Sequence, residues 1–186
     1  EAIIDGMDEL VTVQLDKCPD VPHCCGRLGL DARGNWFLRD DQVQTQGAFG
    51  GGGPQGGKGS LLQHEKLIEF IGRNYDCDAQ GRWFFQNGPQ RVYVELEATP
   101  WIWRVGADYS VTAHTGQSVR PQRIVVDDAG RVYLETDRGF GLVHTQDVLF
   151  AADAIESGLW VPEQMQAAQL PQRFRYVMSP LAQQTA

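Results

Sequence analysis

The chain has few lysines, no long apolar run and no regular cysteine framework. Three of its 16 basic residues are lysines, and 24 acidic residues give it a net charge of -8 and a pI near 4.9. Nucleic acids and anionic membranes both bind basic surfaces, so this charge argues against either partner. No apolar run approaches the roughly 18 residues that span a bilayer. We therefore expect a soluble protein that binds neither nucleic acid nor membrane.

The cysteines are too few and too irregular for a disulfide-stapled domain. Cys18, Cys24, Cys25 and Cys77 form no Cys-x-x-Cys pair, although His23 beside them suggests a zinc site. Adjacent cysteines rarely bind one ion, so we expect free structural thiols, with no metal and no disulfide. The first residues, EAIIDGMDEL, are acidic rather than a basic leader. We predict a cytoplasmic protein without cofactors.

The familiar catalytic motifs are missing. Neither Gly-x-Ser-x-Gly nor His-Glu-x-x-His occurs, so we expect no catalytic residues, with a hydrolase as an alternative. The segment GGPQGGKGS nearly matches a phosphate-binding loop, but Gly59 stands where the magnesium ligand belongs. We interpret residues 47–59 as a glycine-rich linker, and an anion beside Lys58 at the start of the next helix remains an alternative.

The densest β pattern runs over residues 81–105, GRWFFQNGPQRVYVELEATPWIWRV, which holds three of the five tryptophans. Side chains alternate along a strand, so Trp101 and Trp103 share a face. Tyr93 and Glu95 share the face of their strand that we expect to meet solvent, as in a half-solvated antiparallel sheet. Asn87-Gly88-Pro89 predicts a hairpin turn within this stretch, which forms a platform for the rest of the fold.

Three segments have the apolar spacing of amphipathic helices. The spacing predicts helices over about residues 2–16, 60–74 and 146–157, with Ser60 as the N-cap of the second and Gly158 as the left-handed residue that ends the third. Residues 28–38 contain two short β runs around an Asp-x-x-Gly turn, which is a hairpin signature.

These elements predict an α+β protein of two domains. The N-terminal domain, residues 1–74, is a helix-hairpin-helix part that carries the glycine-rich loop 47–59. The C-terminal domain, residues 75–186, is a mostly antiparallel, curved sheet closed by the helix at 146–157.

Similar turns begin at three aspartates, Asp31, Asp78 and Asp127, within LDARGNWFL, CDAQGRWFF and VDDAGRVYL. Asp-x-x-Gly is favourable hairpin chemistry, so the likeness has two explanations, common turn chemistry or internal duplication.

Arginines lie among the aromatic residues of the predicted sheet. Guanidinium groups bind carboxylate or phosphate in two places, and indole rings stack on planar ligands. The alternative is that these arginines pair with acidic residues across the strands. The candidate ligand-binding residues are His64, Arg91, Trp101, Trp103, Arg104, Arg138 and His144.

Four passages of the chain resemble a small proteobacterial family of uncharacterised proteins. They are VPHCCGRLGLDARGNWFLRDD, KGSLLQHEKLIEFIGRNY, the platform and GRVYLETDRGFGLVHTQDVLFAADAIESGLW. A more distant resemblance, to another uncharacterised bacterial family, rests on residues 87–91, 95–100 and 138–141. That resemblance implies a duplicated core, a pleckstrin-homology-like C-terminal part, a nucleotide-like ligand between the halves and a role in signalling. No catalytic residue carries over from it.

The leading hypothesis is a non-enzymatic binder of a small anionic, nucleotide-like ligand at the junction of the two halves, where binding sites are common. The alternatives are a protein–protein interaction module and a hydrolase. The anion binder requires a small-molecule partner, and the interaction module requires a protein partner.

Overall fold

The computed structural model describes residues 23–50 and 57–184, and their regular secondary structure is mostly β-strand. They form thirteen strands in two mixed sheets, with five short α-helices. The predicted α+β class is therefore wrong. The helix predicted at 2–16 lies outside the described residues.

The first sheet has six strands with a parallel pair at its centre. They are β1 (His23–Leu30), β2 (Trp36–Leu38), β3 (Ser60–Leu61), β4 (Tyr75–Cys77), β5 (Trp83–Asn87) and β6 (Gln90–Leu96). Their spatial order is β3-β2-β1-β6-β5-β4. β1 and β6 run parallel, and the other neighbours are antiparallel.

The second sheet has seven strands. They are β7 (Trp101–Val105), β8 (Val111–Ala113), β9 (Ser118–Val119), β10 (Pro121–Val126), β11 (Val132–Thr136), β12 (Gly139–Val143) and β13 (Pro162–Gln164). Their spatial order is β13-β10-β11-β12-β7-β8-β9. The pairs β7–β12 and β10–β13 are parallel.

The helices are short. They are α1 (Asp41–Thr45), α2 (Glu65–Arg73), α3 (Val148–Glu156), α4 (Leu170–Arg173) and α5 (Pro180–Gln184), with 3-10 turns at Thr145–Asp147 and Ala167–Gln169. α2 begins later than predicted, because Ser60 pairs with β2 and His64 is the N-cap. Gly158 has a φ of 79° after the end of α3, as the C-terminal glycine of a helix should.

The described residues divide into two compact units. The first comprises residues 23–31, 35–50, 57–97 and 177–184, and the second comprises residues 32–34 and 98–176. Each unit contains one sheet. The C-terminal segment belongs to the first unit, where the Leu96 N–H donates to the carbonyl of Met178 at 2.9 Å.

The predicted helix-hairpin-helix part is wrong, because β1 to β3 belong to the same sheet as β4 to β6. β1 lies between β2 and β6, so the hairpin at 28–38 is completed by strands more than 40 residues away in the chain. Alternation along one strand identifies its two faces but not the distant strand that pairs with it.

The platform at 81–105 is not one sheet, and this overturns the single curved C-terminal sheet. β5 and β6 form the predicted hairpin through Gly88, but β7 lies in the second sheet. Thr99 explains the change of sheet: its hydroxyl donates to the carbonyl of Trp101 at 2.6 Å and accepts the Leu142 N–H at 2.9 Å. These bonds hold the start of β7 beside β12.

The two sheets repeat one strand order. β7 to β12 follow the same order and direction of pairing as β1 to β6, and β13 is an addition at one edge. The turns at Asp78 and Asp127 lie at equivalent hairpins, β4–β5 and β10–β11, whereas the turn at Asp31 lies between β1 and β2. The sequence likeness between Asp78 and Asp127 therefore has a structural counterpart.

Candidate functional site

The predicted tryptophans are buried and stacked on each other. Trp101 and Trp103 have nearly parallel rings with centroids 5.6 Å apart, and both lie in the core of the second unit. The indole N–H of Trp103 donates to the carbonyl of Leu134 at 2.9 Å. Stacking of these rings on a ligand stays a prediction.

Arg104 and His144, two other predicted residues, both lie near Asp147. Arg104 donates to the carboxylate through Nε at 2.6 Å and Nη2 at 3.2 Å, and the Val105 N–H donates to it at 3.0 Å. His144 accepts the Gln146 N–H at Nδ1 and so caps the 3-10 turn. The Arg104 hydrogen bond lowers the pKa of Asp147, and His144 adds a smaller effect of the same sign. These contacts anchor the start of α3 to β7.

The remaining three predicted residues have separate local roles. His64 in the first unit accepts the Leu67 N–H at Nδ1, 3.3 Å away. The guanidinium of Arg91 lies 4.4 Å from the ring centroid of Phe84. Arg138 is exposed in the turn before β12. A single pocket formed by all seven predicted residues stays a prediction.

The cysteines of the described chain are not arranged as a metal site or as a nucleophile. No group of three or more His, Cys, Asp and Glu side chains within residues 23–50 and 57–184 is placed to hold a metal ion. Cys24 is disulfide-bonded, so the prediction of no disulfide is wrong, whereas Cys25 and Cys77 are free thiols. Burial, reinforced by the charge of Glu95, raises the pKa of Cys25 to about 11, which disfavours the reactive thiolate.

The face of the first sheet that the sequence predicts to be half-solvated is buried. Tyr93 and Glu95 on β6 are 0% and 2% exposed. The Tyr93 ring packs against Phe84, while the C-terminal segment covers Glu95. The Ser179 hydroxyl lies 2.5 Å from Oε1 of Glu95, and the Leu181 N–H donates to Oε2 at 3.2 Å. A buried carboxyl therefore lies beneath residues 177–184.

Arg39 carries a buried guanidinium near that carboxyl. The residue is 1% exposed and forms no ion pair with a described residue. Its Nη2 donates to the carbonyls of Gly47 at 2.7 Å and Gly57 at 3.0 Å, and its guanidinium lies 5.7 Å from the Phe49 ring centroid. Burial lowers the pKa of Arg39, and the charge of Glu95 opposes that shift. A charged donor thus lies in the interior without a contacting carboxylate among the residues that the structure describes.

Arg27 lies opposite Arg39 at the end of the β1–β2 pair. The Arg39 N–H donates to the carbonyl of Arg27 at 2.8 Å, beside the paired residues Leu28 and Leu38. Nη2 of Arg27 forms a 2.7 Å ion pair with Asp41, whose side chain is largely exposed. Nη1 of Arg27 is buried and has no hydrogen-bond partner among the described residues. The two arginines form what we call the arginine pair.

The charges around the arginine pair do not balance in the interior. Glu95 is the buried carboxyl that acts electrostatically on Arg39, and its own burial raises its pKa despite hydrogen bonds from Ser179 and Leu181. Asp41 reaches Arg27 from the surface. Sequence reasoning missed this pair, although Arg27 and Arg39 directly flank the two apolar runs of the predicted hairpin. The placement of the two arginines at the ends of these runs is the feature of the sequence that could have identified them.

The chain belongs to the family described as "Protein of unknown function (DUF2946)", whose model matches residues 7–181. The predicted membership of an uncharacterised family is confirmed. No curated protein matches the chain. Among solved structures, a DUF1285 family protein from Shewanella baltica OS155 is similar at 16% identity and a TM-score of 0.45. The match covers 68% of this chain and 91% of that protein.

The helices within residues 23–50 and 57–184 are short. None of them combines the length and the apolar character that a membrane-spanning helix requires.

Proposed function

We propose that the protein binds a small anion, without catalysing a reaction, and that the arginine pair of the first unit supplies the positive charge. The observation that carries this proposal is Arg39, a guanidinium 1% exposed and without an ion-pair partner in the described chain. This proposal keeps the predicted class of ligand and takes its site from the first unit alone.

Burying the charge of Arg39 has a free-energy cost. A charged group inside a protein is expensive unless it is paired and hydrogen-bonded. The two carbonyls that Arg39 contacts, those of Gly47 and Gly57, are dipoles and carry no full negative charge. Nη1 of Arg27 adds a buried donor with no described acceptor. An anion beside the pair supplies both the missing charge and the missing acceptor.

The chemistry of guanidinium narrows the class of ligand. Arginine stays charged at all physiological pH values and grips carboxylates and phosphates bidentately. Arg27 is already paired with Asp41, so the charge left for a ligand is that of Arg39, which Glu95 offsets only from a distance. We therefore propose a small carboxylate or a phosphate group. The nucleotide-like ligand, the role in signalling and the cytoplasmic location stay predictions, and the Cys24 disulfide does not favour a reducing compartment.

The hydrolase alternative gains no support from these contacts. The raised pKa of Cys25 opposes nucleophilic attack. The hydroxyl of Ser179 contacts Glu95, a buried carboxyl whose pKa is itself raised.

The test is thermal unfolding with acetate, inorganic phosphate and nucleoside monophosphates, each against sodium chloride at matched ionic strength. An anion at 100 times its dissociation constant adds about 2.7 kcal/mol of stability, which raises the melting temperature by several degrees. Arg27→Gln should abolish the rise. Arg120→Gln, which removes an exposed arginine of the second unit, is the matched control and should preserve it.

Two results would contradict the proposal. The first is that no anion of the panel stabilises the wild-type protein beyond the chloride control. The second is that Arg27→Gln remains folded by circular dichroism and responds to the anion as fully as Arg120→Gln does.

A further inference from the structure

Exposed apolar side chains gather in one short segment of the second unit. Five large apolar residues of the described chain are exposed, and four of them lie between residues 149 and 161. They are Leu149, Phe150, Leu159 and Val161, which are 83%, 40%, 60% and 78% exposed. Single exposed apolar residues are ordinary, but a cluster of this kind marks an interaction site.

The helical part of this cluster lies on one side of α3. The exposed residues Leu149, Phe150, Asp153 and Glu156 follow the three- and four-residue spacing that places helix side chains on one face. The opposite side carries buried alanines such as Ala151, which pack inward. Leu159 and Val161 extend the exposed residues beyond the helix. We call these six exposed residues the α3 surface.

The α3 surface is acidic and lies in a region without basic residues. No lysine or arginine occurs from residue 139 to residue 172. Asp147 and Glu163 in this region are neutralised by Arg104 and Arg123. Asp153 and Glu156 form no ion pair within the described chain, and the hydrogen bond that Asp153 accepts from the Tyr109 hydroxyl brings it no positive charge. The charge on the surface is therefore uncompensated.

Folding does not explain the acidic end of α3. Glu156 lies in the last turn, where the helix dipole favours cations over anions. The same turn contains no basic residue that would offset it. An acidic side chain in this position slightly weakens the helix, so helix stability does not account for it.

An open groove continues the α3 surface. Its volume is about 420 Å³, and its lining includes Leu159, Val161 and Ile124, together with the ion pair of Arg123 and Glu163. Ligand pockets begin at roughly 300 Å³, so a groove of this size can accommodate apolar side chains of a partner.

We propose that the α3 surface is a docking site for a basic, amphipathic segment of another protein. The partner's lysines and arginines lie beside Asp153 and Glu156, and its apolar side chains contact Leu149 and Phe150 and enter the groove at Leu159. Charge complementarity selects this occupant. A second copy of the chain, docked through the same surface, would bring two uncompensated acidic patches together, and an anionic membrane or nucleic acid would be repelled.

The test uses a fluorescent synthetic peptide with lysines on one helical face and leucines on the other. A peptide with the same leucines and glutamates in place of lysines is the charge control. Fluorescence anisotropy should show that the lysine peptide binds with an affinity that falls as salt rises, and that the glutamate peptide does not bind. Leu159→Ser should weaken binding about tenfold, because it removes a large apolar contact.

Matched variants separate the site from general stickiness. Leu61→Ser removes the fifth exposed apolar residue, which lies in the first unit, and should leave the affinity unchanged. Glu156→Lys should weaken binding and flatten its dependence on salt. Because both positions are exposed, these variants should unfold at the wild-type denaturant concentration.

Three outcomes would overturn the proposal. The glutamate peptide binds as tightly as the lysine peptide; Leu159→Ser and Leu61→Ser have equal effects; or the wild-type protein self-associates in sedimentation equilibrium and Leu159→Ser abolishes that association. The last result would assign the surface to a second copy of the chain.

Discussion

The Nε of Arg104 lies 2.6 Å from Oδ2 of Asp147, in a two-point ion pair between β7 and the 3-10 turn before α3. The arginine side chain is 49% exposed and the aspartate side chain 7%. Arg104 was predicted from the sequence as a ligand residue. In the structure its guanidinium orients a carboxylate that also accepts the Val105 N–H.

The first prediction concerns this pair. Asp147→Ala should lower the free energy of unfolding by about 1–3 kcal/mol, because it leaves the buried Val105 N–H without its acceptor. Arg104→Ala should cost less than about 1 kcal/mol, since half of that side chain is in water. Urea denaturation of both variants measures the difference. Equal losses would mean that the ion pair, and not the backbone hydrogen bond, is the main contribution.

The second prediction concerns the turn at Asp127. Its carboxylate accepts the N–H groups of Ala129 and Arg131, the Nε of Arg131 and the hydroxyl of Tyr133. Asp127→Ala should therefore destabilise the protein by at least about 2 kcal/mol. Asp128→Ala changes the neighbouring exposed residue and should cost about 1 kcal/mol or less. Thermal unfolding compares the two, and similar losses would show that the turn tolerates loss of the aspartate.

The third prediction concerns the acid dependence of stability. Burial raises the pKa of Glu95 above its ordinary value of 4.5, although hydrogen bonds from Ser179 and Leu181 oppose the shift. The folded state therefore binds more protons than the unfolded state over the interval between the two pKa values. The contribution of Glu95 to stability falls as the pH rises through the folded pKa.

Glu95→Gln should remove this fall, because the amide stays neutral at every pH. Urea midpoints measured from pH 4 upward should show the wild type losing stability relative to the variant as the pH rises. Curves that stay parallel over that range would contradict the raised pKa. A variant that gains stability relative to the wild type as the pH falls would show that the pKa of Glu95 is lowered in the folded state.

The fourth prediction separates lack of space from backbone conformation. A Cβ on Gly141 would lie within 3.0 Å of the Trp101 carbonyl and of Nε1 of Trp103. Gly141→Ala should cost about 1–3 kcal/mol or more through overpacking. Gly88 has a φ of 57° with open space around it, so Gly88→Ala should cost about 1 kcal/mol through conformation alone. Chemical denaturation compares the two variants.

The sequence predicted much of the local structure. The hairpin through Gly88 and the glycine that ends α3 are confirmed, because turn chemistry depends on a few adjacent residues. The N-cap of α2 was predicted four residues too early, since Ser60 is a reasonable N-cap in isolation but is held by β2. The common strand order of the two sheets, with Asp78 and Asp127 at equivalent hairpins, favours duplication over turn chemistry alone.

The sequence by itself determined the hairpins at 28–38 and around Gly88, which of their side chains share a face, and that the chain is acidic, because alternation, turn propensity and charge are local or additive properties. Only the tertiary structure decided that β6 and β7 enter different sheets, that Tyr93 and Glu95 are covered, and that Arg39 is buried without a carboxylate in contact. Each of these depends on a strand or segment distant in the chain. Pairing between distant strands is set by packing and by hydrogen bonds such as those of Thr99, which no local pattern encodes.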